Sequence, residues 1–297
     1  MQGGFHSASR WTGGERRIRI CGHFGEWIQG RLGPDGPVAL VSLPCPALAV
    51  MGRFRPARSL SVQGAGPLPV TPEEARRFLG QLGLSARGRF FLRPGMELGG
   101  GAGSSTAALV ALAGLAGYGG DALGLARAAV ASEGASDPLM FTAPDRLLWA
   151  SREGRILGRA APPPPTDVIG GFFGPPRRTD PADGDFPDIT DLWGDWQAAS
   201  AARDLPRLAR LASLSALRSA ARRGGGQDPT PDLARTLGAL GHVAAHTGSA
   251  RGLVFAPGTI PAHATEALRE AGFRAVLSFR TGVSSPRRLR ATRAGGF

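Results

Sequence analysis

Lysine is absent from all 297 residues, so each of the 35 basic side chains is an arginine. A Walker-type phosphate loop, which ends in Gly-Lys-Ser/Thr, is therefore excluded. Cysteine is almost absent. Cys21 and Cys45 are too few for a disulfide framework or a thiolate metal site, and both are expected to be reduced and buried. No apolar run reaches the length of a bilayer span. The first 15 residues, MQGGFHSASRWTGGE, lack the apolar core of a secretory leader. They read as a flexible arm, and the cytoplasm is the expected compartment.

The chain has 42% hydrophobic residues, enough for a packed core, and its length suits one or two domains. The net charge of +12 raises the question of nucleic acid. The arginine pairs Arg16-Arg17, Arg76-Arg77, Arg177-Arg178 and Arg222-Arg223 are scattered, however. Only Arg287-Arg288-Leu289-Arg290, in a basic tail over 286–297, is compact. Arginine without lysine, beside abundant Ala, Gly and Pro, looks like a coding bias. The field still favours anionic ligands such as ATP, while neither nucleic acid nor a membrane is expected as a partner.

Glycine is plentiful, and its placement carries the strongest signal. Leu98 to Ala108 reads LGGGAGSSTAA, between an extended segment, Arg89-Phe90-Phe91-Leu92, and a small-residue helix ending near Gly117. Glycines let backbone N–H groups converge, and the helix that follows aims its unpaired N–H groups and dipole at the same point. This is a seat for a polyphosphate, formed by Gly101, Ala102, Gly103, Ser104, Ser105 and Thr106. A dinucleotide fingerprint is the competing reading. Gly99 and Gly101 fit its first two glycines and Asp121 its acidic residue, but Ser104 stands where the third glycine belongs. A nicotinamide-dependent oxidoreductase of that kind requires a parallel sheet with the loop after its first strand.

Arg16–Cys21 alternates as a strand; Val38–Leu43 and Ala47–Phe54 read as strands broken by Pro44 and Pro46; Ser59–Val62 reads as another. Thr71-Pro72-Glu73-Glu74 carries a capping box for a helix to about Leu82, and Asp121 opens a helix to about Ser132. Ala160–Pro165, AAPPPP, is the linker candidate. A strand at Val168–Phe173 follows it, then a loop to Pro187 and helices at Leu192–Ala202, Leu205–Arg222 and Pro231–Leu240, with a glycine break at 224–226. Gly252–Phe255, Ala262–Ala271 and Phe273–Phe279 finish the chain as strand, helix and strand. Without strict alternation, this predicts α+β architecture in two lobes, divided as 16–160 and 166–285.

Three further segments carry chemistry. Gly25-Glu26-Trp27-Ile28-Gln29-Gly30 reads as a glycine-flanked turn presenting Glu26 and Gln29 to a cleft, where a carboxylate suits a substrate ammonium group. A surface hairpin is the alternative. His23 reads as a neighbour of the site and not as a base. Glu133 and Asp137 are carboxylates of the kind that hold Mg²⁺ and accept a hydroxyl proton, or they end one helix and cap the next. Thr247-Gly248-Ser249, in AHTGSARG, offers N–H groups and hydroxyls in a turn, with His246 packed and hydrogen-bonded.

Together these segments resemble the GHMP small-molecule kinases. Gly101-Ala102-Gly103-Ser104-Ser105-Thr106-Ala107 is similar to their second motif, with Pro94 farther upstream than usual. Gly25–Gly30 and Ala245–Gly252 resemble the first and third motifs of the L-threonine kinase branch, and Arg178-Thr179-Asp180 resembles a short string at the start of its second lobe. Glu133 stands one residue out of step with that branch, and His23 replaces a small residue. The resemblance implies a ribosomal-S5-like N-terminal lobe and a ferredoxin-like C-terminal lobe. It implies ATP and Mg²⁺ as cofactors, Ser105 and Glu133 as metal ligands, and Asp137 with Ser105 as catalytic residues. Glu26, Gln29, Thr247, Gly248 and Ser249 would face an amino-acid substrate. The implied reaction makes O-phospho-L-threonine for cobalamin side-chain synthesis. Homoserine or another small alcohol as acceptor, and an inactive basic binding protein, are the alternatives. The chain is expected as a monomer or homodimer.

Overall fold

The computed structural model describes residues 14–64, 66–177, 179–223 and 227–282, and the backbone of 292–293. Most of the predicted arm, Arg178, the glycine break at 224–226 and the rest of the basic tail lie outside the described residues. In chain order the elements are β1 (Arg16–Arg31), β2 (Val38–Arg55), β3 (Leu60–Gln63), α1 (Pro72–Gln81), β4 (Gly88–Pro94), α2 (Ser104–Ala116), α3 (Ala122–Glu133), β5 (Leu147–Ala150), β6 (Arg155–Arg159), β7 (Thr166–Phe172), α4 (Thr190–Ala201), α5 (Leu205–Arg222), α6 (Thr230–Thr236), β8 (Gly241–Ala244), β9 (Ala250–Phe255), α7 (Ala264–Glu270), β10 (Arg274–Thr281) and β11 (Thr292–Arg293).

The strands form one sheet ordered β10-β7-β9-β8-β1-β2-β4-β3. Every pairing between these strands is antiparallel except β3 with β4. β2 is long enough to serve two partners along one edge. Val50–Arg55 pairs with β4, while Ala39 and Leu40 pair with β5, which forms a hairpin with β6. The two halves of the sheet meet where Glu26 of β1 pairs with Ala244 of β8.

Two local expectations are corrected here. Gly22–Gly30 is not a turn: β1 continues through it, and irregularities after Cys21, His23 and Glu26 absorb the glycines. β2 likewise runs through Pro44 and Pro46, because the β1 register skips from Ala49 to Cys45 and leaves Pro46–Leu48 unpaired. The AAPPPP segment is extended and partly buried: Ala160 donates to Arg146 O and Pro164 O accepts from the Thr166 hydroxyl.

α1 begins with the reciprocal capping box: Thr71 Oγ1 accepts from the Glu74 N–H, and the Glu74 carboxylate accepts from the Thr71 N–H. α2 is apolar all round and buried almost throughout, with β1 and β2 on one side and α1 and α3 packed against it. α5 keeps an amphipathic pattern and lays Leu208, Ala212 and Ser215 against β1 and β8. A second cluster, Ile169, Leu253, Phe255, Leu268 and Phe273, joins β7 and β9 to α7.

Candidate active site

The glycine loop runs from the end of β4 to the head of α2, with Gly99, Gly101 and Gly103 all in the left-handed region at φ +73°, +75° and +75°. Gly103 is the N-cap of α2 and supplies no side-chain cap. The helix therefore starts with N–H groups that no capping side chain satisfies. Ser104 is buried and its Oγ has no hydrogen-bond partner; Ser105 is half-buried.

The loop is wedged against the turn that follows β8. The Ala250 N–H donates to Gly100 O at 2.9 Å. A Cβ on Gly101 would run into Ala245 Cβ, and one on Gly248 would strike backbone atoms of Gly100 and Gly101. Glycine is needed on both faces of this contact. Within the turn, Ser249 is buried with an unpartnered Oγ, and Thr247 Oγ1 lies 2.9 Å from Thr179 Oγ1. Arg251 braces it, bonding Gly248 O and Ala250 O while pairing with Asp228 at 2.7 Å.

Asp137 is carried to the head of α2 by a short loop. Its N–H donates to Thr106 Oγ1 at 3.2 Å, Ser136 N–H to Ser151 O, and the Trp149 indole N–H to Ser136 O at 2.7 Å. A Cβ on Gly103 would lie 3.0 Å from Asp137 Oδ2 and 2.7 Å from the His23 ring. His23, on β1, spans two acids: Nε2 is 3.4 Å from Asp137 Oδ2 and Nδ1 is 3.2 Å from Glu26 Oε1. His23 and Glu26 side chains are almost wholly buried, and Asp137 is one-quarter exposed.

The electrostatics follow from these contacts. Burial opposes a charge on His23, but Asp137 first and Glu26 second outweigh it and raise the imidazole to about 9. Burial lifts the Glu26 carboxyl to about 7 against the pull of His23. Burial also pushes Asp137 upward, yet His23 overrides it and holds that carboxyl below its ordinary range. His246 is the opposite case. Burial, with Arg223 and Arg152 nearby, drives it down to about 3, so it is neutral. Its ring is stacked on Phe186 at 4.1 Å, its Nδ1 lies 3.2 Å from Gln29 Oε1, and its Nε2 is unpartnered. The Arg152 and Arg223 guanidiniums lie over the same Phe186 ring.

Beside the turn lies a cavity of about 280 Å³, lined in part by Gln29, His246, Thr247, Ser249 and Arg223. The loop residues Gly101–Thr106, Glu26, Asp137, Gln29 and Thr247–Ser249, read separately from the sequence, thus converge. Glu133 is the last residue of α3, beside the αL cap Gly134. Among the described residues, the ligand-type side chains close enough to share an ion are His23, Glu26 and Asp137. Sequence reasoning left three features unseen: the double contact of His23, the β5–β6 hairpin that holds Asp137, and Phe186 under His246.

No protein-family model matches the chain, and no curated protein matches it. Solved structures do. Homoserine kinase from Cytophaga hutchinsonii superposes with a TM-score of 0.56 at 16% identity, over 93% of this chain and 96% of that one. L. major mevalonate kinase, in complex with R-mevalonate, gives 0.60 at 15% identity, over 99% and 100%. A structure described as MDDEF in complex with MVAPP, AMPPCP and magnesium gives 0.58 at 14% identity, over 89% and 96%. The chain has the two-lobed GHMP kinase fold. Here the glycine loop follows β4, not a first strand, and the sheet is antiparallel apart from the β3–β4 pair. The parallel sheet of a nicotinamide-dependent oxidoreductase is thereby ruled out. No helix among the described residues is long and apolar enough to cross a membrane.

Proposed function

We propose that this chain is an ATP-dependent small-molecule kinase acting on the hydroxyl of a small amino acid, with L-threonine as the first candidate and homoserine as the second. The observation that carries the reading is the head of α2: uncapped N–H groups and the buried, unpartnered hydroxyls of Ser104 and Ser249 lie on a loop and a turn in backbone contact. Donors left unpaired in a buried place are costly unless a ligand meets them.

Phosphoryl transfer needs placement and charge neutralisation more than covalent help. N–H groups of Gly101, Ala102, Gly103, Ser104, Ser105 and Thr106 hold the β- and γ-phosphates. The Ser105 hydroxyl and the Glu133 carboxylate are oxygen donors of the type Mg²⁺ takes and would hold an ion that offsets the phosphate charge. His23 is a poor ligand for so hard a cation, and both its ring nitrogens already face carboxylates. Asp137, kept ionised at the head of α2, orients the acceptor hydroxyl and takes its proton. Arg152 and Arg223 supply the cations that lysine would supply elsewhere. Glu26 and the 247–249 turn face the acceptor, with Gln29 fixing the turn through its bond to Ala244 O. The homoserine kinase fold neighbour supports a small hydroxy amino acid as acceptor class.

The test is ATP consumption with Mg²⁺ across threonine, serine, homoserine and aminopropanol. One of them should turn over, and Ser105→Ala should lose on the order of 10²–10³ in turnover. ATP with Mg²⁺ should also raise the melting temperature. No melting shift and no turnover would leave an inactive basic protein on this fold.

A further inference from the structure

A kinase site faces a charge problem that this chain solves in its own way. Glu26 and Asp137 have ligand atoms within 4.8 Å of each other, beside a loop that must receive a polyanion. His23 stands between them. Its side chain is 4% exposed, and its two nitrogens lie nearest different acids on different elements, Glu26 on β1 and Asp137 on the loop after α3. Its backbone N–H donates to Ala102 O at 3.2 Å, so the same residue fixes β1 to the glycine loop. Nδ1 also has a backbone partner, Gly25 O at 3.3 Å, which fixes the ring plane between the two acids. Here, losing the ring would leave two carboxylates facing each other, Glu26 with an oxygen already unpartnered. Among the described residues, the other titratable group facing the cluster is His246, on the turn after β8, and it is neutral. The nearby cations, Arg152 and Arg223, lie over the Phe186 ring on which His246 is stacked.

We propose that His23 is a positioning residue, whose charged ring, held by Gly25 O through Nδ1, pairs with the Asp137 carboxylate at the head of α2 and offsets the charge that Glu26 adds beside it. The inference rests on the kinase reading above, in which Asp137 accepts the hydroxyl proton. Nε2, 3.4 Å from Asp137 Oδ2, draws that oxygen and leaves Oδ1 for the acceptor. Nδ1 is bonded to Gly25 O, and the positive ring lets Glu26 stay beside the site at 3.2 Å. When His23 loses its extra proton, both ion pairs are lost and the net charge of the cluster falls by one. Turnover then falls.

Two measurements test this. With ATP, Mg²⁺ and the acceptor chosen by the screen, the wild-type pH–rate profile should fall on the alkaline side near pH 9. In His23→Gln that limb should vanish, and kcat should drop on the order of 10- to 100-fold at neutral pH. Ring ¹⁵N spectra of the full chain read the same group without turnover. The His23 ring, identified as the one that disappears in His23→Gln, should be doubly protonated at pH 8 and titrate at lower pH in Glu26→Gln. If His23→Gln fails to fold, the Glu26→Gln shift among the five histidines is the deciding observation. A His23 that is neutral at pH 8 overturns the inference, as does an active enzyme whose profile is unchanged by His23→Gln. A wild type that turns over no acceptor overturns the kinase reading instead, whatever the ring spectra show.

Discussion

Gly248→Ala adds one methyl group where the structure has no room for it. The new Cβ would fall inside 3.0 Å of backbone atoms of Gly100 and Gly101, a range that real Cβ atoms essentially never show. Ordinary contact begins near 3.4 Å, so the glycine loop and the turn after β8 must part by about 1 Å. Neither side can yield by turning a side chain, since both are backbone. Overpacking of this kind costs about 1–3 kcal/mol. The greater effect is on the site, because the loop N–H groups and the Ser249 hydroxyl would no longer face one point. A displacement of about 1 Å in a positioning element costs on the order of 10² in turnover. Gly80→Ala is the control: it lies in α1 with nothing within 4 Å of its Cβ, and it should stabilise the chain by about 1 kcal/mol. Thermal melts with and without ATP and Mg²⁺, together with ATP turnover, read both effects. A Gly248→Ala protein with wild-type melting, wild-type nucleotide shift and wild-type turnover would refute the packing argument.

Thr71→Ala should lower stability by about 1 kcal/mol through loss of the α1 cap, with turnover unchanged; chemical denaturation measures it. The His23 imidazole is raised in the folded chain from 6.5 to about 9, so its stabilisation is complete below pH 6.5 and is lost as pH rises through 9. That shift corresponds to at most about 3 kcal/mol. Glu26, raised from 4.5 to about 7 by burial, adds a loss of the same sign at lower pH. Melting temperature should therefore decline between pH 6.5 and 9, and His23→Gln should flatten the decline; a wild-type curve that rises over that window contradicts it. Asp228→Asn removes the partner of Arg251, freeing the guanidinium that braces Gly248 O, and should raise the KM for ATP more than it lowers kcat. An unchanged KM would show that the turn holds without that brace.

The parts of this molecule that sequence revealed are those decided locally. The α1 start was legible because a capping box is written in four consecutive residues, Thr71 to Glu74, and the α5 bounds because Asp204-Leu205-Pro206 and an amphipathic pattern mark them. The glycine loop was legible because its composition has few other uses. β1 was cut short because Gly22, Gly25 and Gly30 look like a turn, yet pairing to β2 decides the matter, and it carries the strand through them. β8 is four residues long and carries no signal apart from its neighbours. His23 is legible as a neighbour of the site, but its contact with Asp137 is not, because that residue lies 114 positions away in the chain, a distance that no motif spans.

The single pairing of Glu26 with Ala244 joins one half of the sheet to the other, and Gly25 beside it sits at φ +71° with its Cα against the Ala244 backbone. One residue thus serves the seam of the sheet through its backbone and the buried acid–imidazole cluster through its side chain.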